Sequence, residues 1–320
     1  MPPASAPPTL ADIRAAHARI RDKINRTPVL TSSTLDALGG ARLFFKCENF
    51  QKIGAFKARG ATNAVFALSP EEAARGVATH SSGNHGAALA RAARLRGIVA
   101  HIVMPENTSK PKIESVRRQG GRITFCAANA TAREATVARV VAETGATLIH
   151  PFNDHRVIAG QGTAVLELLE EVPDLDLVIV PVGGGGLLSG TAIAAKGLRP
   201  GIRVIAAEPE AADDAARSFR SGRIEPQEQT TTIADGLRTS LGDKTFPIIR
   251  GQVDEIVTVS EAGIVAAMRQ IWEVMKIIVE PSGAVPYAAV RENKIAVAGR
   301  RVGLIVSGGN LDLDRLPWQG

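Results

Sequence analysis

Short apolar runs rich in β-branched residues alternate with helix-period stretches along nearly the whole chain, and few architectures accept that rhythm. The runs are RLFFKCE (42–48), GVATHS (76–81), AHIVMP (100–105), RITFCA (122–127), TLIHP (147–151), LDLVIVPV (175–182), RVIAAEP (203–209), EIVTVS (255–260) and RVGLIVS (301–307). Between them lie amphipathic stretches such as HGAALARAARLRG, TAREATVARVVAETG, VIAGQGTAVLELLEEV and EAGIVAAMRQIWEVMKII. Gly97, Gly145 and Gly222 stand where such helices should stop. The alternation predicts an α/β fold with twisted, mostly parallel sheets and helices on both faces. At 320 residues the chain has length for two lobes around a cleft. We expect a large lobe from residues 1–68 plus 151–320, with a small lobe, 69–150, inserted within it.

In open α/β sheets, ligands bind beyond the carboxyl ends of strands, so chemistry should follow each run. Four runs end in small or polar residues: SSGNHG (81–86), GGGG (183–186), EPEAADD (208–214) and SGGN (307–310). The glycine run leads into an apolar helical stretch. Backbone N–H groups from Gly183, Gly184, Gly185, Gly186 and Leu187 can converge there on one phosphate, helped by the helix dipole. A tight strand–helix turn would need fewer glycines, since each costs stability. No dinucleotide fingerprint is present, because Leu188 and Ser189 occupy the positions where a third glycine belongs, and no Walker motif occurs.

The other function classes recede. The net charge is +6, but the basic residues are scattered and aromatics are only 4%; both argue against a nucleic-acid surface. Four consecutive glycines break the one apolar stretch long enough to suggest a membrane span. Cys47 and Cys126 are the only cysteines and have no metal or disulfide spacing, so they read as free buried thiols. The first twenty residues lack the pattern of a signal peptide. These features lead us to expect a cytoplasmic protein.

Lys57, in GAFKARG, is a candidate for a buried, neutral, reactive amine. A lysine, a phosphate cradle, Asn84 in the SSGNHG turn and Ser307 after the last run together suit pyridoxal 5'-phosphate. That cofactor needs an amine, phosphate donors, a partner for its ring hydroxyl and one for its ring nitrogen.

The sequence resembles the fold-type II pyridoxal-phosphate enzymes of the serine/threonine dehydratase and serine racemase family, including 3-hydroxyaspartate dehydratases. Their architecture is tryptophan synthase β-like. The resemblance runs nearly end to end, through NRTPVLTSSTL, FFKCENFQKIGAFKARGATNAV, THSSGNHGAALA, HPFNDHRVIAGQGT, PVGGGGLLSG, AAEPEAADDA, TIADGL and IVSGGNLDLDRLPW. It implies that Lys57 attaches the cofactor and acts as base on one substrate face. Asn84 would meet the ring hydroxyl, Gly183 to Leu187 the phosphate, and Ser307 the ring nitrogen. Ser81, Ser82, Asn84 and His85 would surround the substrate carboxylate, with Ser82 opposite Lys57. Glu208, the Ala212 carbonyl and Asp214 would hold a divalent cation, Mg²⁺, Mn²⁺ or Ca²⁺; an acidic helix start is the competing reading. A homodimer is also implied.

The implied activity is dehydration of L-serine, L-threonine or 3-hydroxyaspartate to a 2-oxo acid and ammonia. Serine racemisation, using Lys57 and Ser82, is the alternative. A catalytically silent carrier is opposed by the intact Lys57 and Ser82, and a cysteine-synthase-like transferase by the SSGNHG phrase. For a substrate with a second carboxylate, Arg133 in TAREAT is a candidate cation, against an equal reading as a solvated helix arginine.

Overall fold

The computed structural model describes residues 6–81, 83–227 and 230–319. Its strands are β1 (Val29–Leu30), β2 (Arg42–Cys47), β3 (Val77–His80), β4 (Ala100–Pro105), β5 (Arg122–Cys126), β6 (Thr147–Leu148), β7 (Leu177–Pro181), β8 (Arg203–Pro209), β9 (Glu255–Val259) and β10 (Arg301–Val306). All nine expected runs form strands, although TLIHP contributes only two residues. The additional β1 is a two-residue edge, too short to carry a periodic signal.

The strands make two sheets. Six lie in the order β1-β2-β10-β7-β8-β9, and four in the order β5-β4-β3-β6. Only the β1–β2 pair is antiparallel; the other neighbours run parallel. The smaller sheet draws only on residues between Val77 and Leu148.

Side chains alternate across the larger sheet, as strand geometry requires. Leu43, Phe45, Leu177, Ile179 and Leu304 join one apolar cluster, while Phe44, Val178, Val180 and Ile305 join the cluster on the other face. Helices cover both faces, so these strands are apolar throughout. Phe45 meets Tyr287 edge-on, with ring centroids 5.8 Å apart. The helix stops also form as expected: Gly97, Gly145 and Gly222 take left-handed φ values of 73°, 68° and 79°. The stretch from Glu261 ends its helix at Met275, three residues before the periodicity does, because Lys276 turns left-handed.

Among the described residues no helix is long and apolar enough to cross a membrane. Cys47 and Cys126 are free and buried, and burial pushes the Cys47 thiol up to about 12.

Candidate active site

Lys57 opens the helix Lys57–Phe66. Just before it, Ala55 bridges to Gly308, and the Phe56 N–H donates to the Ser307 carbonyl at 3.0 Å. The helix is pinned from behind by backbone contact with the helix His155–Glu171. A Cβ on Gly160 would lie 2.6 Å from the Gly60 Cα, and one on Gly60 would lie 2.8 Å from the Val157 carbonyl. The Gly60 N–H donates to Gln161 Oε1 at 3.1 Å.

Two residues beyond Lys57, Arg59 is wholly buried between two carboxylates. Its Nε and Nη2 reach Glu48 at 2.7 and 2.8 Å; its Nη1 and Nη2 reach Glu167 at 2.8 and 2.7 Å. Lys46 Nζ completes the network, donating to Glu167 Oε2 and to the Thr27 carbonyl, both at 2.7 Å. Two cations and two anions balance, as buried charge requires. Removing one partner of such a set costs about 3–5 kcal/mol, because it strands the others.

The Lys57 residue keeps an edge open to solvent, but its amine lies deep. Nζ donates to the Pro151 carbonyl at 2.9 Å and stands 4.9 Å from the Phe56 ring centroid. Desolvation pulls its pKa down to about 8, against an upward pull from the Glu280 charge. An amine so placed is free base far more often than a hydrated lysine.

The glycine run forms the turn between β7 and the helix Gly186–Leu198. It cannot carry side chains. A Cβ on Gly184 would lie 2.3 Å from the Phe152 ring, one on Gly183 2.9 Å from the Leu237 Cα, and one on Gly186 3.0 Å from the Phe152 Cα. Gly185 has φ +85°, a left-handed backbone that favours glycine. A bare backbone at a helix N-terminus suits an anion of phosphate size. With the desolvated lysine, it fits a phosphorylated aldehyde cofactor.

The SSGNHG turn follows β3 and opens the helix Asn84–Arg96. The Ser81 hydroxyl accepts from the Gly83 N–H at 3.3 Å. Ser82 lies outside the described residues. Asn84 Nδ2 donates to both oxygens of Glu280, at 3.0 and 3.3 Å, and Asn84 Oδ1 accepts from Asn310 Nδ2 at 2.9 Å. His85 is buried, its Nε2 3.3 Å from the Ile149 carbonyl and its Nδ1 without a partner. Desolvation first, then the Lys57 charge, holds its pKa well below the usual range, so the ring is neutral. Ser307 is buried at the end of β10.

Arg133 is half-buried in the helix Ala130–Thr144, four residues beyond the Asn129 cap. Desolvation, then the Arg133 charge, lowers the His80 pKa. His80 stacks edge-on against His150, 5.3 Å between centroids, and His150 against Phe152 at 4.5 Å. Burial, then the His80 and Lys57 charges, takes His150 down to about 4.

At the end of β8, Glu208 accepts from the Ala215 and Ala216 N–H groups at 3.0 and 2.9 Å. Asp214 is fully buried, and neither carboxylate oxygen has a hydrogen-bond partner. Burial, then the Asp214 charge, raises Glu208 well above the carboxylate range. Burial pushes Asp214 up to about 7, although nearby N–H groups and Arg217 pull it back. Orphaned buried carboxylate oxygens fit a hard cation. No cluster of three or more His, Cys, Asp or Glu occurs among the described residues, so a cation would rest on Glu208, Asp214 and backbone oxygen such as that of the buried Ala212.

Sequence reasoning did not single out Glu280, Asn310, Phe152, Arg59 or Thr245. Glu280 left a trace, an acid closing the apolar phrase KIIVE. Its burial pushes it up to about 8, with Asp235 adding to the rise.

A two-sheet α/β scaffold with a desolvated lysine and a side-chain-free glycine turn at a helix N-terminus is that of a fold-type II pyridoxal-phosphate enzyme. The pyridoxal-phosphate dependent enzyme family model matches residues 20–308, and the chain belongs to that family, in its serine/threonine dehydratase and serine racemase branch. It is 55% identical to the beta-hydroxyaspartate dehydratase of Paracoccus denitrificans, over 97% of this chain and 99% of that one. It superposes on maize serine racemase with a TM-score of 0.95 and 52% identity, covering 97% and 95% of the two chains. The serine racemase of Dictyostelium discoideum gives a TM-score of 0.90 at 50% identity, covering 95% and 99%.

Proposed function

We propose that the chain is a dehydratase that converts a β-hydroxy amino acid to a 2-oxo acid and ammonia, with 3-hydroxyaspartate as its preferred substrate. The observation that carries the reading is the Lys57 amine, desolvated against the Pro151 carbonyl with a pKa of about 8. The likeness to a beta-hydroxyaspartate dehydratase selects among hydroxy amino acids. Arg133, partly exposed and forming no ion pair among the described residues, supports it as a cation for a second carboxylate.

When bound, pyridoxal phosphate supplies an electron-withdrawing ring that makes the substrate's α-proton acidic. The chain does the rest. Lys57 takes the α-proton: desolvation brings its pKa down to about 8, so the free base is reached at a far lower pH than for a hydrated lysine. Gly183 to Leu187 hold the phosphate by backbone N–H groups, and Ser307 faces the ring nitrogen. Asn84 has one amide N–H committed to Glu280 and its oxygen committed to Asn310, which leaves a second N–H for the ring oxygen. Ser81, Ser82 and His85 bind the α-carboxylate. Glu208, Asp214 and the Ala212 carbonyl hold a divalent cation that braces the loop after β8. The two sheets serve as cores of two lobes, 1–68 with 151–320 and 69–150, with the site between them, and two copies pair as a homodimer.

The test is a panel of L- and D-serine, L-threonine and the 3-hydroxyaspartate isomers, assayed together for 2-oxo acid, ammonia and inverted amino acid. We expect 2-oxo acid release to be fastest from a 3-hydroxyaspartate. Arg133→Ala should raise KM for it at least tenfold and leave serine turnover nearly unchanged. Inversion of serine exceeding its dehydration would establish the racemase reading instead.

A further inference from the structure

We propose that Thr245 is a positioning residue for the cofactor's phosphate: its hydroxyl holds the Gly184 carbonyl and so aims the Gly185 N–H into the glycine cradle. The inference rests on the pyridoxal-phosphate reading of that cradle. Thr245 begins the helix Thr245–Gln252 and is wholly buried. Its Oγ1 accepts from the Gly242 N–H at 2.9 Å. Two carbonyls lie within reach of the single hydroxyl proton: Gly184 O at 2.9 Å and Gly242 O at 3.2 Å. The Gly242 oxygen already accepts from the N–H groups of Thr245 and Phe246. The Gly184 oxygen is the closer of the two, so the proton goes there.

The consequence follows from peptide geometry. The Gly184 carbonyl and the Gly185 N–H belong to one planar trans unit and point in opposite directions. Fixing the oxygen toward Thr245 therefore fixes the hydrogen away from it, toward the mouth of the turn. Gly185 needs such a hold. With φ +85° and no side chain, its flanking peptides can rotate more readily than those of any other residue type. A free rotation would turn a carbonyl oxygen, not an N–H, toward a phosphate.

A Cβ on Gly185 would meet Ile249 Cδ1 at 2.7 Å, Thr245 Oγ1 at 2.9 Å and Leu241 Cδ2 at 3.0 Å, so Thr245 supplies the only polar atom of the three. Thr245 is itself held: Ser189 Oγ donates to its carbonyl at 3.3 Å, and Ser189 N–H donates to the Gly185 carbonyl at 2.8 Å. Both peptides flanking Gly185 are thus tied to the same small group.

The test compares Thr245→Val, which keeps the shape without the hydroxyl, with Thr245→Ser, which keeps the hydroxyl. Equilibrium dialysis of the full chain against pyridoxal phosphate and against unphosphorylated pyridoxal separates phosphate binding from ring binding. We expect T245V to weaken pyridoxal phosphate about tenfold or more, the scale of one lost oriented donor, while pyridoxal binds as in the wild type. T245S should retain the wild-type ratio. Equal weakening of both ligands, or of neither, overturns the inference. Should T245V fail to fold, glycine-labelled wild type gives an independent answer. The Gly185 amide resonance should shift on adding inorganic phosphate and stay put on adding pyridoxal; an amide that ignores phosphate overturns the inference. Wild-type protein that takes up no pyridoxal phosphate would instead overturn the cofactor reading itself.

Discussion

The backbone N–H of Phe56 donates to the carbonyl oxygen of Ser307 across 3.0 Å. The residue before Lys57 and the residue after β10 are thereby locked, although 251 positions separate them. Their side-chain neighbours, Lys57 and the Ser307 hydroxyl, are the groups expected to meet opposite ends of the cofactor. The Ala55–Gly308 bridge joins the same two segments one residue further out.

Lys57 should be the single point of cofactor attachment. Borohydride reduction followed by peptide mapping should tag Lys57, and Lys57→Ala should lose the tag and the visible absorbance. Lys46, buried against Glu167, and the exposed Lys52 should stay unlabelled. A tag on either would refute the assignment.

Cofactor uptake should follow the ionisation of that amine. Below about 8 the amine is protonated and cannot attack an aldehyde; above it the amine is free. Uptake rate should therefore climb about tenfold per pH unit below the midpoint and level off above it. Glu280 raises the Lys57 pKa, so Glu280→Gln should move the midpoint down. For stability the sign is fixed too. The folded pKa lies below the unfolded one, so burying Lys57 costs stability at neutral pH and the cost fades as pH rises from about 8 to about 10.4. A midpoint near 10 would mean a hydrated lysine.

Gly184→Ala should destabilise the chain by about 1–3 kcal/mol through overpacking against Phe152, and should weaken cofactor binding. The double variant Gly184→Ala with Phe152→Ala should regain most of the stability, because the clash is with that ring. Thermal unfolding of the four proteins in the cycle measures it. No recovery in the double variant would place the strain in the backbone.

Chelation should lower the melting temperature, and Mg²⁺ or Mn²⁺ should restore it. A cation at a hundredfold excess over its Kd adds about 2.7 kcal/mol to the folded state. Asp214→Asn should abolish this response, since both Asp214 oxygens lack protein partners. Elemental analysis finding no divalent ion, with melting indifferent to chelator, would leave the pair as a helix start.

Much of this was readable in order along the chain. Strand runs, helix stops and the glycine cradle are local, so a parallel α/β sheet with a phosphate-sized turn could be read off periodicity and spacing. What escaped was contact at long range. Glu280 is a single acid whose role depends on Asn84 and Asn310, 196 and 30 positions away. Arg59 reads as a surface charge until Glu48 and Glu167 close around it. Thr245 carries no motif at all; only its approach to Gly184 gives it meaning. Phe152 sits inside the HPFNDHRVIAGQGT motif, but its fit against Gly184 is a matter of three dimensions.

The position of β10 has a temporal consequence. This strand is last in the sequence, yet it lies between β2 and β7 in the larger sheet. On a ribosome, residues 42–47 and 177–181 must therefore wait for residues 301–306 before their edges can be joined. Until then two apolar strand edges stand open, and pairing at such sequence separation is slow to nucleate. The Phe56–Ser307 bond cannot exist earlier either. A chain stalled before residue 301 would thus hold Lys57 and the four glycines without the strand that joins their two halves of the sheet, which ties their assembly to the arrival of β10.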